Sequence, residues 1–302
     1  MIVAHIFLLS LSSKEKSVFM RKILLILLSL GLVMACNQKT ETASPTVVAE
    51  DVNIRLAVVP TVDCLPFYYA EKMGLYDSLG LHLKLCPFEA QNDCDTALLG
   101  KSVDGSFMDA ERLAFHQKRG VTLVQEMQTE GDWALLSSGT LRIKKMKDLD
   151  NRVVGLPQRT TENLLADQAL RQAGMKPAAL VRVQVNSYRT CASMLENNQL
   201  DAAVLPEPFA TEARLLGARQ MYEARGAEKS RGMIVFRSKY IADKSHAKFL
   251  ELLRRGYNQA VDSLNRHGVK CCLPILLNHY KISQQVADSL HLPHYSHVRA
   301  TK

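Results

Sequence analysis

The chain is poor in the residues that punctuate or stiffen a polypeptide. Its 302 residues hold only 15 Gly, 10 Pro and a single Trp, and aromatics make up 6%. So little Gly and Pro excludes collagen-like and low-complexity classes, and 47% hydrophobic residues excludes a wholly disordered chain. Lys and Arg never form a run of five, so the formal charge of +8 is not gathered into a nucleic-acid-binding tract. Nucleophile elbow, Walker loop, glycine-rich dinucleotide fingerprint and zinc-protease helix are all missing. At roughly 150 residues per domain, the length leaves room for one or two globular units with a real core.

The first 50 residues read as something other than fold. Met20-Arg21-Lys22 is a basic flank, followed by an apolar run from Ile23 to Leu32. That run is too short for a ~30 Å hydrocarbon layer but suits a signal-peptide core. It ends in Val33-Met34-Ala35-Cys36, which resembles a bacterial lipobox. The reading is therefore a signal peptide over 1–35 with its natural start at Met20, and Cys36 as a lipid-modified (palmitate-bearing) first residue. Residues 36–51, rich in Thr, Ser, Ala and Glu, make a flexible tether. Four of the 38 Lys/Arg and one of the 30 Asp/Glu fall in 1–35, leaving 34 against 29, a net +5. A mild basic bias on an exported chain fits a small anionic ligand or a membrane surface and gives no reason to expect nucleic acid.

Beyond the tether, strand and helix signals alternate. Ile54 to Val59 is an apolar strand, Leu65 to Met73 a helix closed at Gly74, and Leu81 to Leu85 a strand of period two. Asp93 is expected to cap the next helix, and Ser106-Phe107-Met108 forms a third strand. The order recurs about 98 residues later: strand Arg152–Leu156, a helix capped by Thr160 or Thr161, strand Leu180–Val185, helix Thr190–Glu196. Leu200-Asp201-Ala202-Ala203-Val204-Leu205 then matches Val103-Asp104-Gly105-Ser106-Phe107-Met108. Two related α/β lobes are implied, 52–138 with 234–302 and 139–233, crossed by the apolar segments Gly131–Leu136 and Gly232–Phe236. Two crossings are what a hinge needs.

Three segments in order carry a resemblance: Leu65 to Tyr76, Lys147 to Gly155, and Leu200-Asp201-Ala202-Ala203-Val204-Leu205-Pro206-Glu207-Pro208-Phe209. With the lipobox, they resemble type II solute-binding proteins of ABC importers, in the nitrate/sulfonate/taurine and thiamine-pyrimidine-precursor branch. The likeness weakens over 234–302. It implies an α/β periplasmic-binding-protein type II fold, each lobe a mixed sheet flanked by helices, with a ligand cleft between lobes. It implies a monomeric, non-enzymatic receptor on the periplasmic face of a bacterial membrane, anchored through Cys36 and handing a small anionic or planar heterocyclic solute to a permease. No cofactor is implied. The alternatives are a periplasmic sensor or scaffold and an enzyme like the fungal thiamine-pyrimidine synthases of the same fold, whose cysteine-rich iron motif is absent here.

Parallel α/β sheets bind ligands at the carboxyl ends of their strands. That rule selects Thr61, Asp63, Cys64, Met108 and Asp109 in the first lobe. In the second it selects Gln158, Arg159, Thr160, Thr161, Asn186, Tyr188 and Glu207. Thr160 and Thr161 open a helix whose free N–H groups favour an anion, and Arg159 beside them can pair with one. An ordinary N-cap reads equally well. Glu207 is a ligand contact or a helix start between prolines, and Trp133 a stacking platform or a hinge residue. Six cysteines remain after Cys36; Cys64 and Cys94, beside adjacent strands, are expected to form a disulfide, and the spacing of Cys and His gives no metal site.

Overall fold

A computed structural model describes residues 53–229 and 231–299. The leader, Cys36 and the tether lie outside the described residues. Strand β1 (Ile54–Val58) is apolar and buried apart from the half-exposed Arg55, as suits a strand covered by helices on each side. β2 (Leu83–Pro87) and β3 (Gly105–Asp109) pair with it in parallel. The connections run through α1 (Leu65–Lys72), α2 (Leu75–Ser78) and α3 (Gln91–Leu99). α4 (Ala110–Lys118) then leads to β4 (Leu123–Thr129).

The chain next passes into a second sheet. β5 (Trp133–Ser137) is followed by β6 (Arg152–Leu156), α5 (Thr161–Gln172), β7 (Leu180–Gln184), α6 (Tyr188–Glu196), β8 (Ala202–Pro206), α7 (Phe209–Leu215) and β9 (Arg219–Glu223). It returns through β10 (Gly232–Arg237) and ends in α8 (Ser238–Ala242), α9 (Ala247–His267), α10 (Val269–Asn278) and α11 (Gln284–Ser289). The strand orders are β2-β1-β3-β10-β4 and β7-β6-β8-β5-β9. Each sheet thus has four strands running one way, and the fourth in its order is the antiparallel strand that has just crossed from the other lobe. The crossing segments expected from sequence are β5 and β10. β5 belongs to the second sheet, so the crossing comes a few residues before the division expected at 138, and the division at 234 falls inside β10. An apolar strand buried on both faces carries no mark of which sheet it joins.

The repeat extends to side chains. The Arg55 N–H donates to Asp104 Oδ2 at 2.9 Å, and the Val153 N–H to Asp201 Oδ2 at 2.8 Å. Asp104 and Asp201 are the aligned acids of the repeated segment, and each ties the third strand of its lobe to the start of the first. Two local expectations shift. The third helix begins at Gln91 with Ala90 before it, so Asp93 sits in the first turn and caps nothing. Thr160 is the N-cap of α5, but its hydroxyl donates to the Pro157 carbonyl (2.8 Å). No helix among the described residues is long and apolar enough to cross a membrane.

Candidate functional site

The carboxyl ends of β1, β3, β5's partner β8 and the N-termini of α3, α5 and α6 converge on one enclosed space between the sheets. Thr61, Asp63, Gln91, Phe107 and Asp109 line it from the first lobe, and Trp133, Glu162, Tyr188 and Pro206 from the second. In this structure the lobes are closed so tightly that the space holds about one water molecule. The indole of Trp133 lies against Gly131, where an added Cβ would sit 2.7 Å from the ring. Gly131 is therefore small because the crossing chain and the indole share that volume. Gly232, at the return crossing, is equally constrained: a Cβ there would meet Thr129 Oγ1 at 2.5 Å and Asp63 Oδ2 at 2.9 Å.

The electrostatics are acidic. Asp63, Asp109 and Glu162 are all almost fully buried. Asp63 accepts from the Thr61 hydroxyl and from the Asp63 and Cys64 N–H groups, yet burial pushes its carboxyl up to about 7 from 3.8. Asp109 is driven well upward by burial and then by the neighbouring Glu162, against the pull of its N–H donors. Glu162 is raised by burial, opposed by the side chains of Thr160, Tyr188 and Trp133. Its Oε2 has no hydrogen-bond partner.

Asp109 joins the lobes. It caps its own helix by accepting from the Arg112 N–H (2.8 Å), and across the cleft it accepts from the Thr161 N–H (3.0 Å). Gln91, with its amide turned to satisfy both groups, donates to Asp109 Oδ2 (3.2 Å) and accepts from the Asp109 N–H (2.7 Å). The Thr161 hydroxyl donates to Glu111 at 3.0 Å. The helix N-terminus expected to take an anion is thus filled by carboxylates of the other lobe.

Of the residues selected from sequence, Thr61, Asp63, Asp109, Trp133 and Tyr188 line the space, Thr161 bonds Asp109 and Glu111, and the Thr160 hydroxyl is held by the Pro157 carbonyl. The others face elsewhere. Arg159 is exposed, with its guanidinium 4.8 Å from the centre of the Phe115 ring. Gln158 is half-buried, and Asn186 accepts from Gln184 (3.0 Å). Glu207 pairs with Arg214 and accepts from the Thr211 N–H (3.0 Å), the helix-start role. Cys64 and Met108 are packed in the first-lobe core. The expected Cys64–Cys94 disulfide is not formed: both are free buried thiols, pushed well up by burial. Gln91, Phe107, Glu162 and Pro206 were not selected. Glu162 had a signal, an acid one residue past a double-Thr cap at a strand end, but it reads as ordinary helix-dipole compensation.

The C-terminal region holds the first-lobe loop in place. The Tyr280 hydroxyl donates to the Thr61 carbonyl (2.8 Å) and the Tyr295 hydroxyl to the Val62 carbonyl (2.7 Å), both from fully buried rings.

Two mixed sheets flanked by helices, joined by two crossings around a cleft, match the type II periplasmic-binding-protein fold. The profile of the NMT1/THI5 like family matches residues 61–263, more than half of the chain, and the chain belongs to that family. Among solved structures it is similar to the alkanesulfonate-binding protein SsuA from Xanthomonas axonopodis pv. citri bound to MOPS, with a TM-score of 0.72 and 16% identity over 82% of this chain and 86% of that one. The periplasmic aliphatic sulphonate binding protein SsuA from Escherichia coli gives 0.67 and 17% over 82% and 86%. The periplasmic nitrate-binding protein NrtA from Synechocystis PCC 6803 gives 0.66 and 12% over 82% and 73%. No curated protein matches the sequence.

Proposed function

We propose that the chain is the solute-binding component of an ABC importer: exported, anchored through lipid on Cys36, and closing its lobes as a monomer on a small planar solute that it delivers to a permease. The carrying observation is the enclosed space where strand ends and helix N-termini of both lobes meet, with Trp133 and Tyr188 among its walls. Family membership and the sulfonate- and nitrate-binding proteins of the same fold support the same reading. Ring faces in an enclosed cleft suit a planar ligand. Trp133, Glu162 and Tyr188 act from one lobe and Asp63, Gln91 and Asp109 from the other, so a solute touching both sets binds the closed form better. That difference in affinity is what shifts the population of closed lobes. The crossings at 130–132 and 224–229 are where the backbone can turn without unpacking either sheet.

The test is a thermal-shift screen of the purified protein against sulfonates, oxyanions, pyrimidines, thiamine precursors and small organic cations. A ligand at about 100 times its Kd adds about 2.7 kcal/mol, enough for a clear rise in melting temperature. At least one solute is expected to give that rise. Failure of every class contradicts the receptor reading.

A further inference from the structure

The cleft walls hold three buried carboxylates, and among the described residues lining the space there is no basic side chain. The nearby cations are committed elsewhere. Arg112 pairs with Asp95, Arg231 with Glu111, Arg214 with Glu207 and Lys229 with Asp132, while Arg159 lies on Phe115. Asp109 already has the Arg112 and Thr161 N–H groups and the Gln91 amide as donors, so it needs none from a ligand. Glu162 is different: it is 1% exposed and its Oε2 is unpartnered. A buried carboxylate oxygen with no donor is costly, and a ligand that supplies the donor removes the cost. Asp63, on the opposite wall, has only a hydroxyl and its own loop N–H groups as donors.

An anionic ligand meets the opposite situation. The Thr161 N–H and hydroxyl are taken by Asp109 and Glu111, and the Thr160 hydroxyl by Pro157. Any anion entering would have to displace these contacts and sit beside Glu162.

We propose that the cleft selects a small planar organic cation, whose charged N–H groups donate to Glu162 from one lobe and to Asp63 from the other while its flat face lies against Trp133 or Tyr188. This rests on the receptor reading and names its solute class. An amidinium or protonated amino-heterocycle has that shape: two parallel N–H donors match the two oxygens of a carboxylate. Such a ligand bridges the lobes through opposite charge, which also accounts for an acidic cleft in a chain with a net basic balance.

The experiment extends the thermal-shift screen with a matched trio, benzamidine, benzamide and benzoate, alongside guanidine, methanesulfonate and nitrate. Binding is expected among the cations, with benzamidine above benzamide and benzoate without effect. Affinities of the binding cation are then measured by titration calorimetry on Glu162→Gln and Asp63→Asn, which keep the side-chain shape and remove one charge in each lobe. Each variant is expected to lose about tenfold or more. Hits confined to anions or neutral solutes overturn the cation assignment and leave the receptor reading intact. A cation that binds both variants as well as the wild type sits elsewhere, which also overturns the assignment. No hit in any class contradicts the receptor reading and this one with it.

Discussion

Asp63→Asn is the substitution whose effect can be worked out most fully. In the folded protein burial pushes this carboxyl from 3.8 to about 7. Between those two pH values the folded chain keeps the proton and the unfolded chain releases it. Raising the pH therefore favours the unfolded state, and the stability contributed by the neutral acid is lost on the way from about 4 to about 7. The gap corresponds to about 4 kcal/mol by pH 8. Asn cannot titrate and its amide oxygen can still accept from the Thr61 hydroxyl, so the variant avoids the loss. The ligand-free variant should match the wild type near pH 4 and exceed it by about 4 kcal/mol at pH 8. In a domain of this size that is about 10 °C in melting temperature. Urea denaturation at a series of pH values, followed by circular dichroism, reads it directly. A difference that stays constant from pH 4 to pH 8, or a variant less stable than the wild type at pH 8, refutes the reasoning.

Other consequences are local. Asp109→Ala removes a helix cap, costing about 1 kcal/mol, and also the bond to the Thr161 N–H; small-angle scattering should show a larger radius of gyration, and an unchanged radius would mean that Asp109 does not hold the lobes together. Tyr295→Phe deletes the bond to the Val62 carbonyl, so a denaturation midpoint lowered by about 1 kcal/mol is expected, together with weaker solute binding through the loosened Thr61–Asp63 loop. Cys36→Ala should move the protein from the membrane fraction to the soluble fraction and abolish incorporation of labelled palmitate; retention in the membrane would contradict lipid anchoring.

Much of the fold was legible because the repeat is written in both strands and helices. Arg152–Leu156 is a strand with the expected ends, and the acids Asp104 and Asp201 do the same job in each lobe. What the sequence could not show was sheet membership. Trp133–Ser137 is apolar on both faces, and only the partner strand decides its lobe. The site was half legible for a related reason. The strand-end rule finds Thr61, Asp63, Asp109 and Tyr188, but it does not say which way a side chain turns. Arg159, with a left-handed φ of 61°, turns out onto Phe115, while Glu162, in the first turn of its helix, turns in. That pair of orientations changes the charge of the cleft from basic to acidic. Tyr280 and Tyr295 were invisible as site supports because their partners lie more than 200 residues away in the chain.

Trp133 is the only tryptophan and stands in the cleft wall with 4% of its surface exposed, so its emission reports on the cleft alone. The most direct measurement is a fluorescence titration of the protein with whichever solute raises its melting temperature. The account predicts a saturable change in Trp133 emission, with a midpoint equal to the calorimetric Kd and tenfold or so weaker in Glu162→Gln. A solute that stabilises the protein yet leaves Trp133 emission unchanged binds outside the cleft, and that result would contradict the account.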